Sequence, residues 1–206
     1  MKELKVAVVD YGAGNLRSVV SALRSLDCQA VVIESPGDVS TTRAMILPGV
    51  GAAADTMANL RGRGLADVVL QWLAAERPFL GICMGMQVLF AHSDEGEGQQ
   101  CLGVLPGRVT RLSQGLKVPH MGWNQVRHSG LLPLFRDIPD DSNFYFVHSY
   151  VAQPEDVSII ASRTVYGAPF CSAVQRGSLV ATQFHPEKSG SLGLQLYKNF
   201  LEMAAA

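Results

Sequence analysis

The sequence has no excess of charge of either sign, no long hydrophobic run, no paired cysteines, no internal repeat and no low-complexity linker. Each absence removes a class of function. Seventeen basic residues against eighteen acidic ones leave a net charge of -1, so the electrostatic footprint of a nucleic-acid binder is missing. The amino end, Met1-Lys2-Glu3-Leu4-Lys5, is charged, and the apolar run behind it, Val6 to Val9, is far too short for a signal peptide or a membrane span. A cytoplasmic location, with no membrane partner, is the expectation. Four cysteines lie far apart without a CxxC pair, which argues against a zinc site and against a disulfide framework in a chain of 206 residues. Cys28, Cys101 and Cys171 read as ordinary buried residues.

What is present is 48% hydrophobic content, enough at this length for one α/β domain, expected to cover residues 1–206. Lys5 to Asp10 reads as a buried strand, and Tyr11-Gly12-Ala13-Gly14-Asn15 turns into a helix with Leu16, Val19, Val20 and Leu23 at its apolar positions. The glycines fail the dinucleotide-binding fingerprint, because Arg17 stands where a third glycine belongs. Strands are expected at Ala30 to Ile33 and Ala44 to Leu47, the second stopping at Pro48-Gly49-Val50-Gly51. Helical periodicity follows around Met57 and Leu60 and from Leu65 to Leu73. Another strand leads to Cys83 and a helix carrying Gln87, Val88 and Phe90.

Beyond His92 the pattern changes to short strand-like runs, Arg108 to Leu112, Gln125 to Arg127 and Phe144 to Val147. A hairpin should pair Phe170 to Gln175 with Leu179 to Phe184 around Arg176-Gly177. The chain closes on a helix from about Ser191, striped by Leu192, Leu196 and Phe200. This order predicts an α/β fold, doubly wound, with a mainly parallel central sheet and an added antiparallel, strand-rich second half. Binding sites in such sheets gather at the carboxyl ends of strands, where Gly49-Val50-Gly51 and Cys83 both fall.

Pro78-Phe79-Leu80-Gly81-Ile82-Cys83-Met84-Gly85-Met86-Gln87 has the form of a nucleophile elbow, in which glycines on either side remove Cβ atoms that would collide across a sharp turn. The first turn of the following helix should favour thiolate over thiol at Cys83. A cysteine nucleophile needs a base, and the base needs a group to fix its tautomer; His185-Pro186-Glu187 offers both. No HExxH pattern accompanies His185, so neither a metal nor another cofactor is called for. His92, His120, His128 and His148 are individually weak candidates, with His148, before Ser149-Tyr150, the most notable. Oxyanion donors are expected from the Met84 N–H and from Val50 or Gly51, against the alternative that Pro48-Gly49-Val50-Gly51 is a plain strand-ending turn.

Taken together, these strings resemble the class I (triad) glutamine amidotransferases over essentially the whole chain. Asp10-Tyr11-Gly12-Ala13-Gly14-Asn15, Leu47-Pro48-Gly49-Val50-Gly51, the Cys83 elbow, Pro119-His120-Met121-Gly122-Trp123-Asn124, His148-Ser149-Tyr150 and Gln183-Phe184-His185-Pro186-Glu187-Lys188-Ser189 are similar to the branch serving histidine biosynthesis. The resemblance implies that Cys83 is the nucleophile, His185 the acid and base, and Glu187 its orienter. It implies that Gln87 and the Ser149-Tyr150 backbone hold glutamine, that Glu95 lies near the substrate's amino group, and that Gly51 borders the carboxamide. Met121, Gly122, Trp123 and Asn124, with Asn15 near the same rim, would face a (β/α)8-barrel cyclase that consumes the ammonia. Ala53 and Val151 depart from the pattern, where an aromatic and a second tyrosine often stand. Three rival readings are a stand-alone cysteine hydrolase of γ-glutamyl or other small amides, an amidotransferase subunit of another pathway, and a catalytically silent module whose Cys83 senses oxidants.

Overall fold

In the computed structural model, which describes residues 4–39 and 41–205, short apolar runs form strands β1 (Lys5–Val9), β2 (Gln29–Ile33), β3 (Ala44–Leu47) and β4 (Phe79–Ile82). Met1 to Glu3 of the charged amino end lie outside the described residues. Every residue of β3 and β4 is buried, as a strand covered on both faces requires. The covering helices are α1 (Leu16–Ser25), α2 (Ala53–Gly62) and α3 (Leu65–Ala74), which bury residues at helical spacing: Val19 and Leu23, Met57 and Leu60, Val69 and Trp72. A single turn, α4 (Met84–Gln87), follows β4.

The second half is rich in strands: β5 (Phe90–Ser93), β6 (Gln99–Gln100), β7 (Leu105–Arg111), β8 (His120–Val126), β9 (Ser142–His148), β10 (Tyr150–Pro154), β11 (Ile160–Tyr166), β12 (Ala168–Arg176) and β13 (Leu179–Thr182). Helix α5 (Gly190–Ala205) closes the chain, burying Leu196, Tyr197, Phe200, Leu201 and Ala204. Its buried Asn199 donates to the carbonyls of Leu134 (2.9 Å) and Arg136 (2.7 Å), tying the helix to the segment before β9.

The central sheet has the order β11-β12-β13-β4-β3-β1-β2. From β13 to β2 neighbouring strands run parallel, while β11 and β12 add an antiparallel edge. Along β1, Val6 and Val8 join one apolar core with Leu23, Phe184 and Phe200, while Ala7 and Val9 join a second with Met57, Trp72 and Phe90. Alternation along one strand therefore feeds two cores on opposite faces, the doubly wound arrangement expected from the sequence. β10-β7-β5-β6 form a smaller sheet and β8-β9 a two-stranded ribbon. No helix among the described residues is long and apolar enough to cross a membrane.

The expected helix through Phe90 stops at Gln87, and Phe90 instead begins β5. The Val88 and Leu89 carbonyls accept from Leu102 and Leu105 at 2.9 Å, so sheet pairing takes what a longer helix would have used. The run at Gln125 is the tail of β8, and Phe144 to Val147 lies inside β9, its partner from His120↔His148 to Val126↔Ser142. The expected hairpin is the β12–β13 pair, closed at Arg176↔Leu179.

Four adjacent strands, β13, β4, β3 and β1, deliver their carboxyl ends to one rim. Gln183 to Glu187, Cys83, the Pro48 to Gly51 turn and Asp10 to Asn15 emerge there in turn. The fit is close: a Cβ on Gly85 would overlap the Leu47 carbonyl oxygen, and one on Gly49 would come within 2.6 Å of Met84 Cβ. Gly85→Ala must push β3 and the elbow apart, at a cost on the order of 3 kcal/mol. The expected outcome is a thermal midpoint lowered by roughly 6–12 °C; a melting curve identical to that of the unaltered chain would contradict this packing.

Candidate active site

Cys83 has a positive φ of 54° with ψ -106°, a conformation that costs a non-glycine residue strain. Hydrogen bonds over-determine it. Its amide donates to the Thr182 carbonyl at 2.7 Å, and its own carbonyl accepts from Met86 and Gln87 at 3.0 Å each. The sulfur lies in a residue only 6% exposed. The helix expected to follow is the four-residue α4, so the sulfur cannot draw on a long helix dipole.

His185 leaves the end of β13 with extended backbone, and Pro186 starts a 3₁₀ turn over Pro186–Lys188. Two bonds fix this turn to β9, the His185 amide donating to the Tyr145 carbonyl (2.9 Å) and the Tyr145 amide donating to the Ser189 hydroxyl (3.0 Å), and that hydroxyl in turn donates to the His185 carbonyl (2.7 Å). Inside it, His185 Nδ1 lies 2.8 Å from Glu187 Oε1, with both side chains 1% exposed. A carboxylate accepts, which assigns the hydrogen to Nδ1 and leaves Nε2 for Cys83. Asn15, expected near the partner-facing rim, donates Nδ2 to the same Glu187 oxygen at 3.4 Å. Glu187 Oε2 and the wholly buried Tyr197 hydroxyl have no hydrogen-bond partner among the described residues. Burial, then the nearby Glu187 charge, push that phenol well above its ordinary value of 10.0.

Burial pulls the His185 imidazole down, but the Cys83 sulfur and the Glu187 carboxylate outweigh it through hydrogen bonding and charge, and the ring is raised from 6.5 to about 10. Nε2 is buried and has no other partner among the described residues, so the Cys83 sulfur is the group it faces. A histidine raised in the folded state adds stability that is complete below pH 6.5 and is lost as pH rises through about 10.

Cys83 opens onto a cavity of about 380 Å³. Val50, Gly51, Met84, Gln87, Glu95, Ser149 and Tyr150, all expected at the substrate, line it together with Cys83. As the first residue of α4, Met84 has an amide with no acceptor inside the helix. Glu95 accepts from the Ala53 amide at 2.7 Å, joining the cavity wall to the start of α2 just beyond the Val50-Gly51 turn. Gln87 Nε2 donates to the Tyr150 carbonyl (3.0 Å) and to Gln183 Oε1 (2.9 Å), leaving Gln87 Oε1 buried without a partner among the described residues. The Tyr150 carbonyl also faces His148 Nδ1 at 2.9 Å, so both its lone pairs are taken before any substrate arrives. A larger cleft of about 510 Å³, bordered by Arg127, His128 and Arg163, contains none of Cys83, His185 and Glu187.

Residues expected at a partner surface divide by strand alternation. Met121 (62% exposed) and Trp123 (58% exposed) point outward from β8, which rules out a core role for Trp123, while Gly122 and Asn124 are half-buried. Asn124 Nδ2 lies 3.1 Å from His120 Nε2 and 3.0 Å from the Val165 carbonyl, and His120 Nδ1 lies 2.9 Å from His148 Nε2. Burial lowers His120 to about 4 and His148 to about 3, so this pair is neutral at pH 7. In the sequence these histidines stand 28 residues apart, and their pairing appears only with the β8–β9 register. Nothing in the sequence pattern singles out Gln183, whose Nε2 lies 3.5 Å from the Cys83 sulfur. Cys28, Cys101 and Cys171 are buried, and burial pushes their thiols up to about 11, 11 and 12.

Residues 7–204 match the family model for glutamine amidotransferase class-I. The chain is 53% identical over 199 residues to the imidazole glycerol phosphate synthase subunit HisH of Dehalococcoides mccartyi, covering 97% of each chain. It is 49% identical over 205 residues to the protein of the same name from Chloroflexus aurantiacus, covering 98% of this chain and 97% of that one. Among solved structures, a glutamine amidotransferase superposes with a TM-score of 0.77 at 23% identity over 98% of this chain and 99% of that one. PurLQS from Thermotoga maritima superposes with a TM-score of 0.79 at 17% identity over 97% and 98%. At these identities the two structures speak to the fold alone.

A thiol, an imidazole and a carboxylate in this order can cleave an amide, with the imidazolium protonating the leaving nitrogen. The rate of amide hydrolysis should therefore fall as pH rises through about 10, where His185 loses its proton. Glu187→Gln removes a charge that holds that proton, so its alkaline limb should move to lower pH and its rate at pH 8 drop by roughly 10²-fold. An alkaline limb that stays in place would show that Glu187 does not act on His185.

Proposed function

Because the chain belongs to the class-I glutamine amidotransferase family, we propose that it is the glutaminase half of an imidazole glycerol phosphate synthase. It hydrolyses glutamine to glutamate and ammonia and supplies the ammonia in histidine biosynthesis. The observation that carries this reading is the buried His185–Glu187 pair set against Cys83, which lines a cavity of about 380 Å³.

The Cys83 sulfur, as thiolate, attacks the side-chain amide carbon of glutamine. Protonated His185 gives its Nε2 proton to the departing ammonia, and a γ-glutamyl thioester remains on Cys83. Neutral His185 then takes a proton from water, hydroxide attacks the thioester, and glutamate leaves as the thiolate and imidazolium return. Amides of Met84 and of Val50 or Gly51 stabilise the tetrahedral oxyanion, each such donor being worth roughly 3 kcal/mol. Buried Gln87 Oε1, still unpartnered at the cavity wall, and the Glu95 carboxylate supply acceptors for the substrate's amino group. The chain acts as one domain.

Water would protonate released ammonia to a poor nucleophile, so the product needs a covered route. We read the partner as a (β/α)8-barrel cyclase docked over β8, the two forming a cytoplasmic heterodimer. Met121 and Trp123 form an exposed apolar pair on that strand, while Pro119 and His148 of the same ribbon region line the cavity. Docking there would seal the site from water. Turnover by the isolated chain should be weak and should rise when the partner holds its own ligand.

Mixing the chain with the cyclase subunit tests both halves of this reading. Glutamine should then support cyclisation, and Cys83→Ala should abolish that support while added ammonium salts still drive the cyclase. Trp123→Ala should weaken association by roughly 30-fold, the loss of one aromatic anchor of about 2 kcal/mol. Cyclisation that never responds to glutamine would overturn the assignment, and unchanged association of Trp123→Ala would move the interface elsewhere.

A further inference from the structure

One side chain outside the triad also touches the nucleophile. Gln183 is fully buried, and its Nε2 lies 3.5 Å from the Cys83 sulfur. We propose that Gln183 is a further catalytic residue, donating an amide N–H to the Cys83 thiolate, a role that rests on the reading of Cys83 as the nucleophile.

An amide could turn either its nitrogen or its oxygen toward the sulfur, and the opposite end of the network decides which. The Tyr150 carbonyl can only accept. The Gln87 atom 3.0 Å from it must therefore be Nε2, and that same nitrogen lies 2.9 Å from the Gln183 side chain. The Gln183 atom at that contact must accept, which leaves its nitrogen for the sulfur. Turning Gln183 over would set two N–H donors against each other at 2.9 Å. Turning Gln87 over as well would set its oxygen against the Tyr150 carbonyl oxygen at 3.0 Å. His148 Nδ1, 2.9 Å away, occupies the carbonyl's other side. One backbone oxygen thus fixes the polarity of a relay that ends as a donor on the nucleophile.

The backbone holds Gln183 at this point. β13 and β4 run parallel with Thr182 beside Ile82, so the next residue of each strand is Gln183 beside Cys83. The Gln183 amide donates to the Ser172 carbonyl at 2.8 Å, extending the ladder by one step. A donor matters here because a buried sulfur anion has lost water, and a hydrogen bond to an ionised acceptor is the stronger kind. The Val147 carbonyl, 4.0 Å from the same sulfur, can serve only the neutral thiol. Gln183 tilts that balance toward the anion.

Gln183→Met keeps the side chain's length and removes the donor, and Gln183→Leu removes it in a different shape. For each, the rate at which iodoacetamide alkylates Cys83 would be followed from about pH 5 to about pH 10, without glutamine, beside a melting curve. Steady-state turnover would be measured in the complex with the cyclase. Loss of the donor should slow alkylation near neutral pH about tenfold, move the whole profile to higher pH, and lower kcat by at least about tenfold with little change in KM. A cavity or packing defect alone would not displace the profile. If Gln183→Met, folded as judged by its melt, alkylates with the profile of the unaltered chain, the proposal is wrong; where Gln183→Leu does not fold, Gln183→Met decides. Because alkylation needs no substrate, an unaltered chain that fails to hydrolyse glutamine overturns the functional reading separately.

Discussion

The buried hydrogen bond between His185 and Glu187 is the constraint on which the rest of the site depends. Both groups have left water, and a paired charge at 1% exposure persists only where its geometry is held from several sides. Here the holding is covalently close and spatially broad: Pro186 separates the two residues, Ser189 and Tyr145 clamp the turn to β9, and Asn15 reaches in from the end of β1. The pair then raises the imidazole's hold on its proton opposite a sulfur whose own backbone is strained into place. Chemistry at this rim is a consequence of four parallel strands stopping side by side.

The same sheet also builds the wall behind the nucleophile. Strands β3 and β4 are buried throughout, and the elbow leaves no room for a Cβ at Gly85 or Gly49. The Pro48 to Gly51 turn is thereby pressed onto the first residues of α4, bringing two stretches of backbone amide to one wall of the cavity. A second polar network backs that wall. Its buried histidines are neutral and consume each other's hydrogen-bonding capacity, running from Asn124 on the ribbon to the Tyr150 carbonyl. That carbonyl orients the Gln87–Gln183 pair, so the ribbon that presents Met121 and Trp123 outward also fixes the groups behind the nucleophile.

Much of this was legible from the chain itself where the chemistry is local. The glycines around Cys83 and the proline between His185 and Glu187 encode turns within a few residues, and strand-ending signals put them at one edge of a parallel sheet. What depended on register was not legible. Gln183 stands inside the string that carries His185, yet its contact with Cys83 exists only because β13 pairs with β4 at one alignment. Asn15 reads as a rim residue, and its contact with Glu187 depends on how the turn after β1 folds back, which the sequence does not say. The helix expected through Phe90 lost to sheet pairing by Val88 and Leu89, a tertiary demand that helical periodicity cannot show.

The central claim is that the Cys83 sulfur forms a covalent bond to the substrate's side-chain carbonyl while His185 protonates the ammonia that leaves. Rapid acid quenching during glutamine turnover, followed by peptide mass spectrometry, tests this most directly. The account requires a γ-glutamyl group on the peptide containing Cys83, present during turnover and gone once glutamine is exhausted. Glutamine consumption with no acyl group on that peptide at any time, or an acyl group carried by another residue, would contradict it.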